Sequence, residues 1–207
     1  MPELLEALAQ RRARRAFDPR PVPADIQELL WRAVSVAPSH GNTQPTRILV
    51  ADAEPIRAAL IAALSGGNRQ WAPPAPLLFA IAAMATHDSV QTGSDGSTRE
   101  LWAFNAGIAT GNLLAQATAL GLTAHPMAGF DEPAVRTAFG APLELRVLAV
   151  VAAGYPGDTA TLPEDLAARE SRPRERLPLS HVVAHDRWDT EMALSPRDLR
   201  QREEGSR

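Results

Sequence analysis

The thirty residues from Leu101 to Phe130 contain no Asp, Glu, Lys or Arg. That stretch is long enough to cross a bilayer, but Asn105, Asn112, Gln116, Thr110, Thr118 and four glycines make it a poor hydrocarbon span. The pattern instead predicts a helix over about 99–120, stopped by Gly121 and buried on nearly every side. Such a helix has too little polar surface to be exposed on a monomer of 207 residues, and burial between two copies would account for it. Gly107 and Gly111 lie four apart on one face, where a second helix could approach closely.

The rest of the chain sorts around this helix. "APLLFAIAAMA" (75–85) and "RVLAVVAAGYP" (146–156) are continuous apolar runs of central-strand type, and "TRILVA" is a short strand. Leu4, Leu5 and Leu8 predict a helix over 3–15, and Ile26, Leu29, Leu30, Ala33, Val34 and Ala37 another over 24–37. Pro55 opens a further helix that Gly66 and Gly67 close. Residues 86–98, polar and rich in Gly and Ser, read as a mobile loop. Strands and helices are mixed without a regular strand–helix–strand rhythm, which predicts an α+β fold. No linker divides two cores. One domain is expected, with its core over about 3–188 and a charged tail over 189–207.

Composition removes several function classes. There is no cysteine, hence no disulfide, thiolate metal site or cysteine nucleophile. A formal net charge of −3 argues against a nucleic-acid partner. Acidic residues precede the first apolar stretch, the reverse of a secretion signal, so a cytoplasmic protein that makes no use of a membrane is expected. No phosphate-loop, dinucleotide-fold or serine-elbow motif is present. His181 and His185 are spaced for a metal pair, but two exposed histidines after Pro178 explain them as well, and no metal is expected.

Three polar clusters remain. "RRARRAFDPRPVP" (11–23) holds Arg11, Arg12, Arg14 and Arg15. "PSHGNTQP" (38–45) packs Ser39, His40, Asn42 and Gln44 into one loop. "PRERLP" (173–178) carries Arg174 and Arg176, which share a side if the segment is extended. Forked guanidinium donors suit phosphate oxygens, so the two arginine clusters could meet on one phosphate. Each could equally be a solvated basic end, and the first sits where a helix C-terminus favours cations anyway. Spacing leaves both readings open.

In order along the chain, "RRARRAFDPRPVP", "APSHGNTQP", "GLTAHPMAGFD" (121–131) and "AAGYPGD" followed by "PRERLPL" resemble the motifs of the nitroreductase family. The resemblance implies a nitroreductase-like α+β fold with a central mixed, mainly antiparallel sheet and an intertwined homodimer. It implies FMN as cofactor, NAD(P)H as electron donor and a small-molecule acceptor such as a nitroaromatic or quinone, reduced by a ping-pong mechanism. It also implies a cofactor site. Arg11, Arg12 and Ala13 would hold the phosphate and ribityl end with Arg174 and Arg176, and Arg15 would lie at the N1/O2 edge of the ring. Pro38, Ser39, His40 and Asn42 of the second subunit would wall the ring, with Asn105 projecting from the interface helix. Asn68 and Gln70 would contact its edge, and Pro126, Met127, Ala128 and Gly129 would pass beneath N5.

Flavin N5 carries the hydride in this family, so no side chain is assigned as catalytic. Trp71 and Phe104 are candidates for the substrate side. Ala13 stands in place of a serine usual in the family, Thr46 in place of an aromatic residue, and Ala128 in place of a glutamate found in some members. Related members of the same fold dehydrogenate, dehalogenate or cleave flavin, and a non-catalytic flavin carrier or sensor is the other reading.

Overall fold

In the computed structural model, which describes residues 3–205, the two continuous apolar runs lie side by side at the centre of a four-stranded sheet. In chain order the elements are α1 (Glu6–Gln10), α2 (Ala24–Ser35), β1 (Thr46–Val50), α3 (Ile56–Ala63), α4 (Gly66–Arg69), β2 (Leu77–Met84), β3 (Val90–Thr92), β4 (Thr98–Glu100), α5 (Trp102–Ala119), β5 (Thr123–Met127), α6 (Glu132–Ala138), β6 (Leu145–Gly154), α7 (Glu164–Glu170) and α8 (Pro196–Gly205). The sheet order is β1-β2-β6-β5, and each neighbouring pair is antiparallel.

Both faces of β2 are covered, which is why its sequence does not alternate. Leu77, Phe79 and Ile81 pack with Leu30 of α2 and with Leu113 and Ala117 of α5. Leu78, Ala80 and Ala82 face the other way, toward Leu60 of α3 and Val135 of α6. The β2–β6 register shifts between Ile81 and Ala82, where Leu148 is the extra residue on β6.

Three elements differ from the sequence reading, the first two because a distant segment competes for the backbone and the third because two short local runs pair. The first helix ends at Gln10 rather than running to 15. Beyond it the chain is extended and pairs with the sheet. Thr123 Oγ1 donates to the Arg12 carbonyl at 3.0 Å, Phe17 bridges Pro156, Asp18 N donates to the Tyr155 carbonyl at 3.0 Å, and Gly157 N donates to the Ala16 carbonyl at 3.0 Å. Gly66 and Gly67 do not merely close α3; they begin α4, because Leu64 leaves the helix to bridge Phe130. Residues 86–98 contain a β-hairpin with register Val90↔Glu100, Gln91↔Arg99 and Thr92↔Thr98. Its turn is closed by Gly93 N donating to the Ser97 carbonyl, with Gly96 at φ 80°.

Helix α5 turns a stripe of Asn105, Ala106, Ala109, Leu113 and Ala117 to the core. Its other side, with Ala103, Phe104, Gly107 and Gly111, is exposed on the single chain, so one copy does not surround it. Gly121 at φ 71° ends the helix as expected.

The chain divides into two compact units, one ending at Glu170 and the other beginning at Ser171. In the second unit Arg200 pairs with Glu175 at 2.6 Å, Arg202 with Glu191 at 2.7 Å, and Ser195 and Asp198 cap α8.

Gly157 is where the extended segment crosses the end of β6. A Cβ there would fall within contact distance of the Phe17 carbonyl and lie 2.7 Å from Asp18 N. Gly157→Ala is expected to destabilise the fold by about 1–3 kcal/mol. Urea unfolding checks this, and an unchanged midpoint would show that residues 16–18 do not need this approach.

Candidate functional site

The arginine run and the residues predicted beneath a ring meet along one edge strand. Thr123 opens β5, where its hydroxyl donates to the Arg12 carbonyl and accepts from Arg14 N at 3.4 Å. Four residues further on, about 13 Å at strand rise, Met127 ends β5 and the chain turns through Ala128 and Gly129. The Gly129 carbonyl accepts from Ser65 N at 2.9 Å and from Asn68 Nδ2 at 3.0 Å, which brings Asn68 beside the 126–129 segment. A Cβ on Gly129 would lie 2.7 Å from Ser65 Oγ, so glycine is what permits this approach. The N–H groups of Ala128 and Gly129 donate to no other described residue. Gln70 caps the short helix α4 and is exposed.

Behind this edge lies a stack of rings and one ion pair. Trp71 is 3% exposed and belongs to the core rather than to an open pocket wall. Its ring lies 4.5 Å from that of His125 and 6.4 Å from that of Phe17, while the Arg15 guanidinium sits 5.8 Å above it. Arg15 Nη1 also pairs with Glu170 Oε1 at 2.9 Å, and the Glu170 side chain is 2% exposed. The charge of Arg15 is therefore compensated within the chain. His125 Nδ1 lies 3.0 Å from the Arg14 carbonyl, which can only accept, so Nδ1 carries the proton. Burial holds the His125 imidazole below the ordinary histidine pKa, the Arg14 carbonyl opposes this, and the Arg15 charge reinforces it.

A second cluster forms at the opposite edge, ahead of β1. The loop from Pro38 to Asn42 turns through left-handed Gly41 and Asn42, with φ of 55° and 59°. Ser39 Oγ accepts from Gln44 N at 2.9 Å, and Asn42 Oδ1 accepts from Gln44 Nε2 at 3.0 Å. Asn105, 2% exposed, reaches out of α5 to accept from His40 N at 3.1 Å and donates through Nδ2 to Asp88 Oδ2. Asp88, whose side chain is 1% exposed, presents its other oxygen 3.7 Å from His40 Nδ1. Sequence reasoning missed Asp88 because it sits in a segment that reads as loop, and it missed Thr123 and Glu170 because nothing local marks them.

The site residues thus fall into two groups in the first unit. Arg11, Arg12, Ala13, Arg15, Asn68 and the Pro126–Gly129 turn belong to the β5 edge. Pro38, Ser39, His40, Asn42 and Asn105 belong to the β1 edge, where Phe104 is 65% exposed beside them. Arg174 and Arg176 lie in the second unit, exposed, with Arg176 donating to the Glu175 carbonyl at 2.6 Å. No group of three or more metal-ligating side chains occurs among the described residues, and no described helix is long and apolar enough to cross a membrane. An arginine segment held at one end of an edge strand and open backbone N–H groups at the other make a donor set suited to a long anionic cofactor with a ring acceptor.

A model of the nitroreductase family matches residues 8–70 and 54–155. A 15.4 kDa protein encoded in the ask 5' region of Mycolicibacterium smegmatis is 50% identical over 98 residues, 46% of this chain and 65% of that protein. The chain thus spans just under two thirds of that relative. An NADH dehydrogenase of Thermus thermophilus is 33% identical over 201 residues, with 86% of this chain and 93% of that protein covered. The crystal structure of an oxidoreductase containing FMN superposes with a TM-score of 0.79 at 31% identity, over 90% of this chain and 93% of that one.

The lowered His125 pKa has a definite pH signature. Between the folded value and the ordinary one of about 6.5, the unfolded chain binds the proton and the folded chain does not. Stability from this residue is present above about pH 6.5 and is lost as pH falls below it. In urea titrations between about pH 8 and pH 5, wild type is expected to lose more stability than His125→Gln. Parallel pH profiles would show that burial of His125 is not felt.

Proposed function

Because the chain belongs to the nitroreductase family, we propose that it is an FMN-dependent oxidoreductase, taking electrons from NADH or NADPH and passing them to a nitroaromatic, quinone or similar acceptor. The observation that carries this reading is the β5 edge, where the arginine segment leads along one strand to the open N–H groups of Ala128 and Gly129. Bound FMN would supply a two-electron carrier that the side chains themselves lack. Arg11 and Arg12 would hold its phosphate, Asn68 would face the ring edge, and the N–H of Ala128 or Gly129 would serve as a donor to the ring. Electron donor and acceptor would use one cleft in turn, a ping-pong sequence.

The two groups of site residues also support a homodimer. β5 and β1 are the outer strands of a four-stranded sheet, three strand spacings or about 14 Å apart. One copy cannot close both edges on the same ring. A second copy can bring its Pro38–Asn42 loop to the β5 edge of the first, burying the exposed face of α5 at Gly107 and Gly111 and leaving Phe104 at its border.

Purified protein is expected to retain FMN and to bleach under anaerobic NADH or NADPH; protein that cannot be loaded with FMN would end this reading. Arg11→Ala or Arg12→Ala is expected to weaken FMN retention by about 1.5–3 kcal/mol, read by equilibrium dialysis. Gly107→Leu, which crowds the exposed face of α5, is expected to shift sedimentation toward the monomer, whereas an unchanged profile would place the contact elsewhere.

A further inference from the structure

A cleft of about 480 Å³ opens where the β3–β4 hairpin stands over the start of α5. His40 forms one wall, Gln91 and Arg99 the other, and Leu101, Phe104 and Ile108 the floor. We propose that this cleft selects flat aromatic acceptors that carry an anion, with Arg99 holding a carboxylate while the ring lies on the apolar floor. This rests on reading the chain as an acceptor-reducing flavoenzyme.

The hairpin register places the cation. Gln91 and Arg99 are cross-strand partners and so share one face, which is the face that lines the cleft. Glu100, the next residue, points the opposite way and accepts from Trp102 Nε1 at 2.6 Å. Alternation therefore separates the two charges of β4, giving the cleft the positive one alone. Arg99 forms no ion pair among the described residues. No carboxylate lines the cleft. Asp88, next to His40, has its side chain 1% exposed and bonded to Asn105, so it faces the histidine rather than the open space.

The floor supplies the other half of the recognition. Phe104 is 65% exposed, a large apolar surface left beside a guanidinium. An aromatic carboxylate satisfies both at once, with ring on ring and anion on fork. The volume lies in the range of small-molecule sites and suits one or two fused rings.

Binding and turnover test this separately. Saturation-transfer NMR on the FMN-loaded protein with benzoate and benzamide, which are not reduced, reads the cleft directly. Wild type is expected to prefer benzoate, and Arg99→Gln to weaken benzoate binding about five- to tenfold, with Arg99→Lys keeping part of the preference. Gln91→Glu, which puts a carboxylate across from Arg99, is expected to lower benzoate binding as well. In turnover, the KM for 4-nitrobenzoate relative to that for 4-nitrobenzamide should rise in Arg99→Gln. Equal benzoate binding by wild type and Arg99→Gln overturns the proposal, as does a loss that is the same for benzamide. If Arg99→Gln slows anaerobic flavin reduction by NADH yet leaves benzoate binding alone, the arginine serves the donor's phosphates and the proposal falls. Failure to reduce either nitro compound, with the benzoate preference still lost in Arg99→Gln, removes the enzymatic reading while the anion cleft stands.

Discussion

The backbone pairing of residues 12–18 with the ends of β5 and β6 is the constraint on which the candidate site depends. Five consecutive residues that include four arginines would extend a helix on propensity alone. They do not, because the Thr123 hydroxyl pairs with the Arg12 carbonyl and Arg14 N, while just beyond them Asp18 N donates to the Tyr155 carbonyl and the Ala16 carbonyl accepts from Gly157 N. A charged run is thereby laid against a sheet edge instead of ending in solvent. With the helix stopping at Gln10 and Arg11 as its C-cap, helix-end electrostatics reaches the first arginines of the run but not Arg14 and Arg15.

That placement also gives Arg15 partners within the chain. Arg15, expected at the N1/O2 edge of the ring, is met by Glu170 at 2.9 Å, and Trp71 lies beneath it. A buried carboxylate with such a partner costs several kcal/mol to leave unpaired, so the pair is a structural clamp between the arginine segment and α7. The clamp holds the rings of Trp71 and His125 in line, and His125 returns the favour by donating to the Arg14 carbonyl. Arginine segment, edge strand and aromatic stack are one mechanical unit.

Local signals made part of this legible. The central strands could be read because both faces of β2 are apolar, and the stop of α5 because Gly121 takes a positive φ. The hairpin was legible in principle, since "GSDGS" is turn chemistry between two short β-prone runs, but three-residue strands fall below the length at which alternation is recognised. The end of α1, the break at Leu64 and the burial of Asp88 were not legible, because each is decided by a residue more than fifteen positions away. Of the candidate site, the residue types and their order along the chain could be read. Their division between two sheet edges could not, since strand order is a property of pairing alone.

Asn105 shows why that division matters. It lies on the inward stripe of α5, a position where an apolar residue would pack at lower desolvation cost. Its amide instead accepts from His40 N and donates to Asp88, so one side chain joins α5, the 38–42 loop and the approach to the hairpin. Removing it would leave a buried carboxylate and a loop N–H short of partners, each costing about 1–3 kcal/mol. The same three segments enclose the cleft over Phe104. A buried polar contact at that junction ties the 38–42 loop to α5, so the geometry of the cleft and the position of α5 are coupled through one residue.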